Sequence, residues 1–287
     1  MPVTELPAPA RIERGDIGSL RLVVDRVAGR SRIVDLECTG PVQVLRCQYL
    51  DPGAPDIASV TIASPSGGVL QGDRLRIAVE VRAGARLMLD TQSATRLYRM
   101  PDRPARIEAR FDVGVDAWLE YVPDPYIPFA GSNTTIDTVA TVDETATVLL
   151  GEVVACGRVA RGEVFRMRAF HSTVTAVRPG GELLFSDATI LEADLSPSDP
   201  GMLGPGTALG SLYAIATGVD PELLRGAIRG HTASGLNCGA STLPNEAGIW
   251  LRVVAEDTAA ATSVVAAGRD IVRTALVGTA TPASRRP

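Results

Sequence analysis

SPSGGVLQGDRLRIAVEVRAGARLMLDTQSATRLYR, residues Ser64 to Arg99, is the stretch that decides the fold. It joins a glycine-rich turn to a strand in which apolar and charged residues alternate, and then to a second strand that ends in polar residues. Alternation with a period of two predicts one buried and one wet face. Because Ile107 to Val113 alternates in the same way, we expect it to be the antiparallel partner of Arg74 to Arg82.

The rest of the first ~190 residues also reads as strands, separated by short Gly, Pro and Asp turns. Further strands are predicted at Ser19–Val27, Ser31–Cys38, Val42–Leu50, Ile57–Ala63, Ala117–Val122, Thr134–Val142, Thr147–Ala155, Val164–Val177 and Leu183–Ile190. This pattern indicates a mainly β fold, either a stacked two-layer, β-helix-like structure or a sandwich. No repeat of fixed period is visible that would require a solenoid.

The C-terminal third has a different sequence pattern, which predicts a small α+β part. Strands are expected at Leu209–Thr217, Leu236–Thr242 and Gly248–Ala255, and Asp220-Pro221 is expected to open a short helix that ends near Arg229. A longer helix capped by Asp257 or Thr258 carries one stripe of apolar and small residues: Ala261, Val264, Val265, Gly268, Ile271, Val272, Ala275 and Leu276. The expected organisation is a flexible N-terminus over 1–18, a β-rich scaffold over 19–194, a linker-like loop over 195–206, an α+β part over 207–277 and a disordered tail over 278–287.

Composition excludes several classes of function. The net charge is −5 and aromatic residues make up 4% of the chain, which argues against a nucleic-acid or anionic-membrane binder. All basic residues are Arg, so a lysine Schiff base and a Walker-type phosphate lysine are excluded. The cysteines Cys38, Cys47, Cys156 and Cys238 show no metal or redox spacing, and neither a leader nor an apolar span is evident, so a reduced, cytoplasmic protein is expected.

Candidate chemistry is sparse. His171 and His231 stand alone, without a metal-ligand pattern. The glycines from Gly67 to Gly72 precede a strand rather than a helix, so they are expected to shape a turn, with Asp73 bonding local amides, rather than to bind phosphate. Glu152 lies in the apolar run VLLGEVVA, where a buried carboxylate needs a partner or a wet cavity; a solvent-facing edge position is the alternative.

The chain resembles the family of urease accessory proteins called UreD or UreH. The matching residues are Gly67, Gly68, Gly72, Asp73, Thr91, Gln92, Ala94, Tyr98 and Arg99, followed by WLEYVPDP at 118–125, IPF at 127–129, Gly157-Arg158 and Gly162-Glu163. The resemblance runs in order from about Leu20 to the final helix. Asp90 and Gln71 depart from the family pattern.

The resemblance implies a non-catalytic scaffold that binds the urease structural subunits, an accessory protein of the F type and, through the complex, a GTPase of the G type. No cofactor is expected to bind tightly, and nickel would pass through an internal water-filled passage. Asp73, Glu152 and Glu163 are the candidates for lining that passage, because carboxylates suit a hard or borderline cation in transit.

Two hypotheses from other classes stay open beside the scaffold. One is a hydrolase that uses carboxylates such as Asp124 and Glu163, and the other is a metal-storage protein. The polar pair Thr91 and Gln92, unusual at the end of a strand, is predicted to face an internal polar space or to hold a neighbouring strand.

Overall fold

A computed structural model describes residues 18–64, 67–216, 219–220, 222–226 and 237–282 of the chain. The predictions for the N-terminus before Gly18, for His231, for the end of the short helix near Arg229 and for the last five residues of the tail fall outside these residues.

Seventeen strands and one long helix account for most of the regular structure in the described part. The strands are β1 Gly18–Val27, β2 Arg30–Thr39, β3 Gln43–Val44, β4 Ala58–Ala63, β5 Arg74–Val81, β6 Arg86–Thr91, β7 Thr95–Leu97, β8 Ala105–Val113, β9 Trp118–Tyr121, β10 Tyr126–Pro128, β11 Asn133–Val142, β12 Thr147–Ala155, β13 Ala169–Val177, β14 Leu183–Glu192, β15 Ala208–Ile215, β16 Asn237–Thr242 and β17 Gly248–Ala255. The helix α1 spans Thr258–Val277, and a short helical turn covers 222–226.

The strands form two sheets through which the chain winds like a solenoid. Sheet A has the order β14-β13-β11-β8-β5-β1-β2, and sheet B has the order β16-β17-β15-β12-β9-β6-β4-β3. From β4 to β13 the chain alternates between the sheets, with β7 and β10 forming a small parallel pair in the connections. Successive strands within each sheet are therefore parallel along this part of the chain.

The pairing of β5 with β8 corrects one prediction. These strands are parallel, not antiparallel, with Leu75 facing Ile107. The alternation correctly predicted one buried and one partly exposed face, but it carries no information on strand direction. Direction follows from the chain path: it leaves sheet A, crosses sheet B and returns before β8 begins.

The sequence shows no repeat of fixed period because successive turns of the solenoid differ in length. In sheet A, paired residues are separated by 32 positions from Leu75 to Ile107, by 29 from Ile107 to Ile136 and by 36 from Ile136 to Ser172. The connections from sheet A to sheet B, at 82–85, 114–117 and 143–146, are all four residues long. The connections from sheet B back to sheet A, at 64–73, 92–104, 122–132 and 156–168, are long, and they lie on one side of the solenoid, which we call the loop side.

The core has two layers. The larger apolar cluster lies between the sheets and includes Leu22, Leu89, Phe111 and Leu150. A second lies between the outer face of sheet B and α1. Central strands of sheet B are thus buried on both faces, which explains the nearly continuous apolar run of β12.

Three other predictions need correction. The predicted strand Val42–Leu50 is regular only at Gln43–Val44, and the predicted strand Val164–Val177 begins at Ala169, because the preceding residues belong to a loop-side connection.

On α1, Asp257 caps the helix as predicted, its side chain accepting from the Ala260 amide at 2.8 Å. The stripe, however, is wrong at its C-terminal end: Ala275 and Leu276 are exposed, and two arginines are buried instead.

Candidate functional site: cavities between the sheets on the loop side

The glycines near the start of the stretch from Ser64 to Arg99 shape a turn of the backbone, as predicted. Gly67, Gly68 and Gly72 all have positive φ. A Cβ on Gly68 would lie 2.5 Å from the Arg96 carbonyl oxygen, so a side chain does not fit there. The Asp73 carboxylate accepts from the Leu70 amide at 2.8 Å and closes the turn.

This turn covers a cavity of about 110 Å³ between the two sheets, here called the glycine-turn cavity. Its inner wall is apolar and includes Leu75 and Ile107 of sheet A. Its outer part is polar and is bordered by Gly67, Gly68 and the segment from Thr91 to Arg96. The glycines of the turn and the polar residues that follow β6 therefore border the same opening.

Both members of the polar pair border this cavity, but they do different things. The Thr91 hydroxyl accepts from the Asp124 amide at 2.8 Å and lies 3.3 Å from the Asp124 carboxylate, so it ties β6 to the connection after β9. The backbone N–H of Gln92 donates to the Ile62 carbonyl at 2.9 Å. Gln92 as a whole is exposed at the opening. Both residues therefore border an internal space, one of the two predicted alternatives, but Gln92 is exposed, and Thr91 holds a connection rather than a neighbouring strand.

Glu152 borders a second, smaller space of about 10 Å³, here called the Glu152 cavity, which is close to the room that one water needs. Its carboxylate accepts a hydrogen bond from Ser172, which projects from sheet A across the interior. Tyr121 and Tyr126 line both cavities, so this pair of phenols lies between the two spaces.

Burial dominates the electrostatics of Glu152. It raises the pKa of this carboxyl from 4.5 to about 7, against the opposing effects of the Ser172 hydroxyl and the Arg252 charge. Beyond Glu152, Asp187 of sheet A accepts from Tyr213 and Arg252 of sheet B. A line of polar groups therefore crosses the interior from the glycine turn to the last strands of sheet B.

The remaining predicted residues lie elsewhere. Asp73 and Glu163 do not line either of these two cavities. Glu163 is ion-paired with Arg158 and accepts from the Ala130 amide at 3.3 Å, on the loop side. Tyr98 packs edge-on against Phe129 with ring centroids 5.0 Å apart.

Two more predicted residues are on the surface. Arg99 is exposed and lies over Gly131. His171 is on the outer face of sheet A, paired with Glu192 of the adjacent strand.

A buried ionic network under α1 was missed by the sequence reasoning. Glu120 is fully buried and accepts from the Trp118 indole at 2.8 Å, from Arg269 at 2.7 Å and from Arg273. Arg273, also fully buried, bridges Glu120 to Asp51. The available signal was the spacing of four between the two arginines, which places them side by side next to the apolar stripe.

Asp90, one of the two residues that depart from the family pattern, joins the same network. The Asp90 carboxylate lies 3.5 Å from the Arg269 guanidinium. Its negative charge therefore faces a buried cation rather than the cavity opening.

No tight metal site is evident in the described part of the chain. Across residues 18–64, 67–216, 219–220, 222–226 and 237–282, no group of three or more His, Cys, Asp or Glu side chains is placed to hold a metal ion. All four cysteines are free thiols. Among the same residues, no helix has both the length and the apolar character needed to span a membrane.

Comparison with known proteins supplies the family. The model of the UreD urease accessory protein family matches residues 16–287. Urease accessory protein UreD 2 of Streptomyces griseus is 32% identical over 277 residues, covering 94% of both chains. UreD of Haloarcula marismortui is 32% identical over 98% of this chain and 94% of its own, and UreD of Mycolicibacterium gilvum is 35% identical over 85% and 88%. The chain therefore belongs to the UreD family of urease accessory proteins.

Proposed function

We propose that the protein is a non-catalytic scaffold that acts in the cytoplasm, binds the urease structural subunits together with accessory proteins of the F and G types, and carries nickel towards the urease active site. The cation would pass between the two sheets, from the glycine-turn cavity past the two tyrosines to Glu152. Family membership supports the role in urease maturation, and the arrangement of the cavities supports the route.

The observation that carries the proposed route is the position of Glu152. An ionisable group buried between two sheets is costly unless it has a partner or a ligand. Glu152 faces a cavity rather than a cation at ion-pair distance, and a carboxylate suits nickel as a ligand. One carboxylate with hydroxyl neighbours such as Ser172 and Tyr213 is a weak ligand set, which favours transit over storage.

The hydrolase hypothesis receives no comparable support. The Asp124 carboxylate is engaged by Thr91, and the Glu163 carboxylate by Arg158. Neither lines the glycine-turn cavity or the Glu152 cavity. Nothing in these contacts pairs the two carboxylates across an open cleft, as acid and base in hydrolysis require.

The proposal is tested by co-producing the urease subunits and the other accessory proteins with this chain in a host that has no urease. The variants are Glu152→Gln and, as a matched control, Glu144→Gln in an exposed four-residue turn on the opposite side. Nickel per urease is measured by metal analysis, alongside co-purification of the chain with urease.

We expect Glu152→Gln to co-purify normally while urease carries several-fold less nickel, and the control to behave like the unchanged protein. Fully nickel-loaded urease in the absence of this chain would refute the maturation role. Normal loading with Glu152→Gln would refute the route alone.

A further inference from the structure

The loop side carries an unusual concentration of arginines for a chain whose net charge is −5. Six of them are exposed there, and we call them the arginine surface: Arg96, Arg99, Arg103, Arg161, Arg166 and Arg168. The short turns on the opposite side instead carry Asp116, Asp143 and Glu144 with the single Arg82. Charge is therefore separated between the two sides of the solenoid.

Hydrogen bonds join the two connections that bear these arginines, 92–104 and 156–168, to the connection 122–132 between them, so that they form one surface. The Met100 amide donates to the Gly131 carbonyl at 2.9 Å, and the Gly131 amide donates to the Arg166 carbonyl at 2.7 Å. The Arg168 guanidinium donates to the Pro101 carbonyl at 3.2 Å. The arginine surface is thus held by a fixed scaffold, not by independent loops.

Nearby acids neutralise the arginine surface only in part: Asp102 is exposed in the same connection as Arg103, and the Arg158 hydrogen bond and the charge of Arg161 lower the pKa of Glu163. None of its six guanidinium groups has a carboxylate of the described part of the chain within ion-pair distance, in contrast to neighbouring Arg158, which pairs with Glu163. Of the other nearby acids, Asp73 closes its own turn and Asp124 is held by Thr91. Like charges held together without ion-pair partners and with few counter-charges favour binding of an anionic partner.

We propose that the arginine surface docks a carboxylate-rich face of a protein partner in the urease maturation complex. Guanidinium groups match carboxylates in planar, bidentate geometry, and a set of six held on a fixed scaffold suits a complementary acidic face. The involvement of the maturation complex rests on the function proposed above.

A protein partner is favoured over a nucleic acid by the state of the local aromatic rings. Tyr98 and Phe129 pack against each other, and the Arg158 guanidinium covers Phe129 at 4.2 Å from the ring centroid. Their faces are therefore not free to stack on bases, which single-stranded nucleic acids require. The negative charge of the whole chain opposes approach of a polyanion.

Docking on this surface also bears on the glycine-turn cavity. Arg96 lines that cavity, so the free protein presents a positive rim at its opening, which repels a divalent cation. A carboxylate-rich partner would neutralise the rim, so that cation entry would depend on docking.

The test uses the full chain with two reversals, Arg103→Glu and Arg166→Glu, combined. Its control combines Arg32→Glu and Arg46→Glu, two exposed arginines outside the loop side, and alters the net charge by the same amount. Binding to purified apo-urease and to the F-type accessory protein is measured separately at low and high salt. Circular dichroism verifies folding, and the milder pair Arg103→Gln and Arg166→Gln provides a second variant.

We expect the loop-side reversal to weaken binding to one of these two proteins by ~10-fold or more at low salt, with a smaller salt dependence, and the neutral pair to fall between. The control should bind like the unchanged chain. Equal binding by the loop-side reversal and the control, or no binding of the unchanged chain to either protein, would overturn the proposal.

Tighter binding of the unchanged chain to duplex DNA or to phosphatidylserine vesicles, lost in the loop-side reversal, would also overturn it. The maturation role is tested separately, by nickel loading with and without this chain, and would survive equal binding by the two reversals or a preference for DNA or vesicles. Absence of binding to either protein would count against the proposed scaffold as well.

Discussion

Replacing Glu120 by Gln should be among the most destabilising isosteric changes in this protein. Glu120 is fully buried and neutralises Arg269 and Arg273 under α1. Gln has nearly the same shape but no charge, and its NH₂ group would face a guanidinium donor. Removing one member of a buried ion pair costs about 3 to 5 kcal/mol, because the remaining charge stays buried without compensation.

The matched control is Glu108→Gln on the outer face of sheet A. Glu108 pairs with Arg76 at 3.0 Å, and their side chains are 23% and 22% exposed. Unlike Glu120, this carboxylate keeps partial contact with solvent, and so does Arg106, its second partner at 3.6 Å. The same substitution should therefore cost less than that of Glu120, on the order of 1 kcal/mol. Comparing the two separates the effect of burial from that of losing a carboxylate.

The free energy of unfolding is measured by urea denaturation at pH 7, followed by circular dichroism. An unchanged slope with a lower midpoint for Glu120→Gln would show a loss of stability without a change in unfolded surface. Hydrogen exchange should place the loss in α1 and the 51–57 segment, since Arg273 also bonds to Asp51. A cost below about 1 kcal/mol, or one equal to that of Glu108→Gln, would refute the reasoning.

Three further predictions concern Glu152, Gly68 and the α1 cap. The folded-state pKa of Glu152 is raised, so the free energy of unfolding should fall as pH rises from about 4.5 to about 7. Glu152→Gln should remove this loss. By pH 8, urea titrations should show this variant to be more stable than the unchanged chain by up to about 3 kcal/mol. Gly68→Ala should cost about 1 to 3 kcal/mol or more in thermal unfolding, because φ is +154° and the Arg96 carbonyl blocks a Cβ, whereas Gly180→Ala, in open space, should change little. Asp257→Ala should cost about 1 kcal/mol through loss of the bond to the Ala260 amide, whereas Asp257→Asn should retain most of it.

Much of the candidate site was predictable because it depends on local chemistry. The glycines before β5 are needed wherever the backbone takes positive φ, whatever the surrounding fold. Glu152 stood out because a carboxylate within an apolar run needs a special environment. Its neighbours Ser172 and Arg252 were not predictable, since they come from other strands of the two sheets.

The sequence by itself determined most of the strands, which face of β5 is buried and where α1 begins, because alternation and capping are properties of consecutive residues. Only the tertiary structure decided that β5 and β8 run parallel, since direction depends on the path through the other sheet. It also decided that Arg269 and Arg273 are buried. An arginine on a helix is normally solvated, and here burial is possible only because Glu120, about 150 residues away, lies opposite.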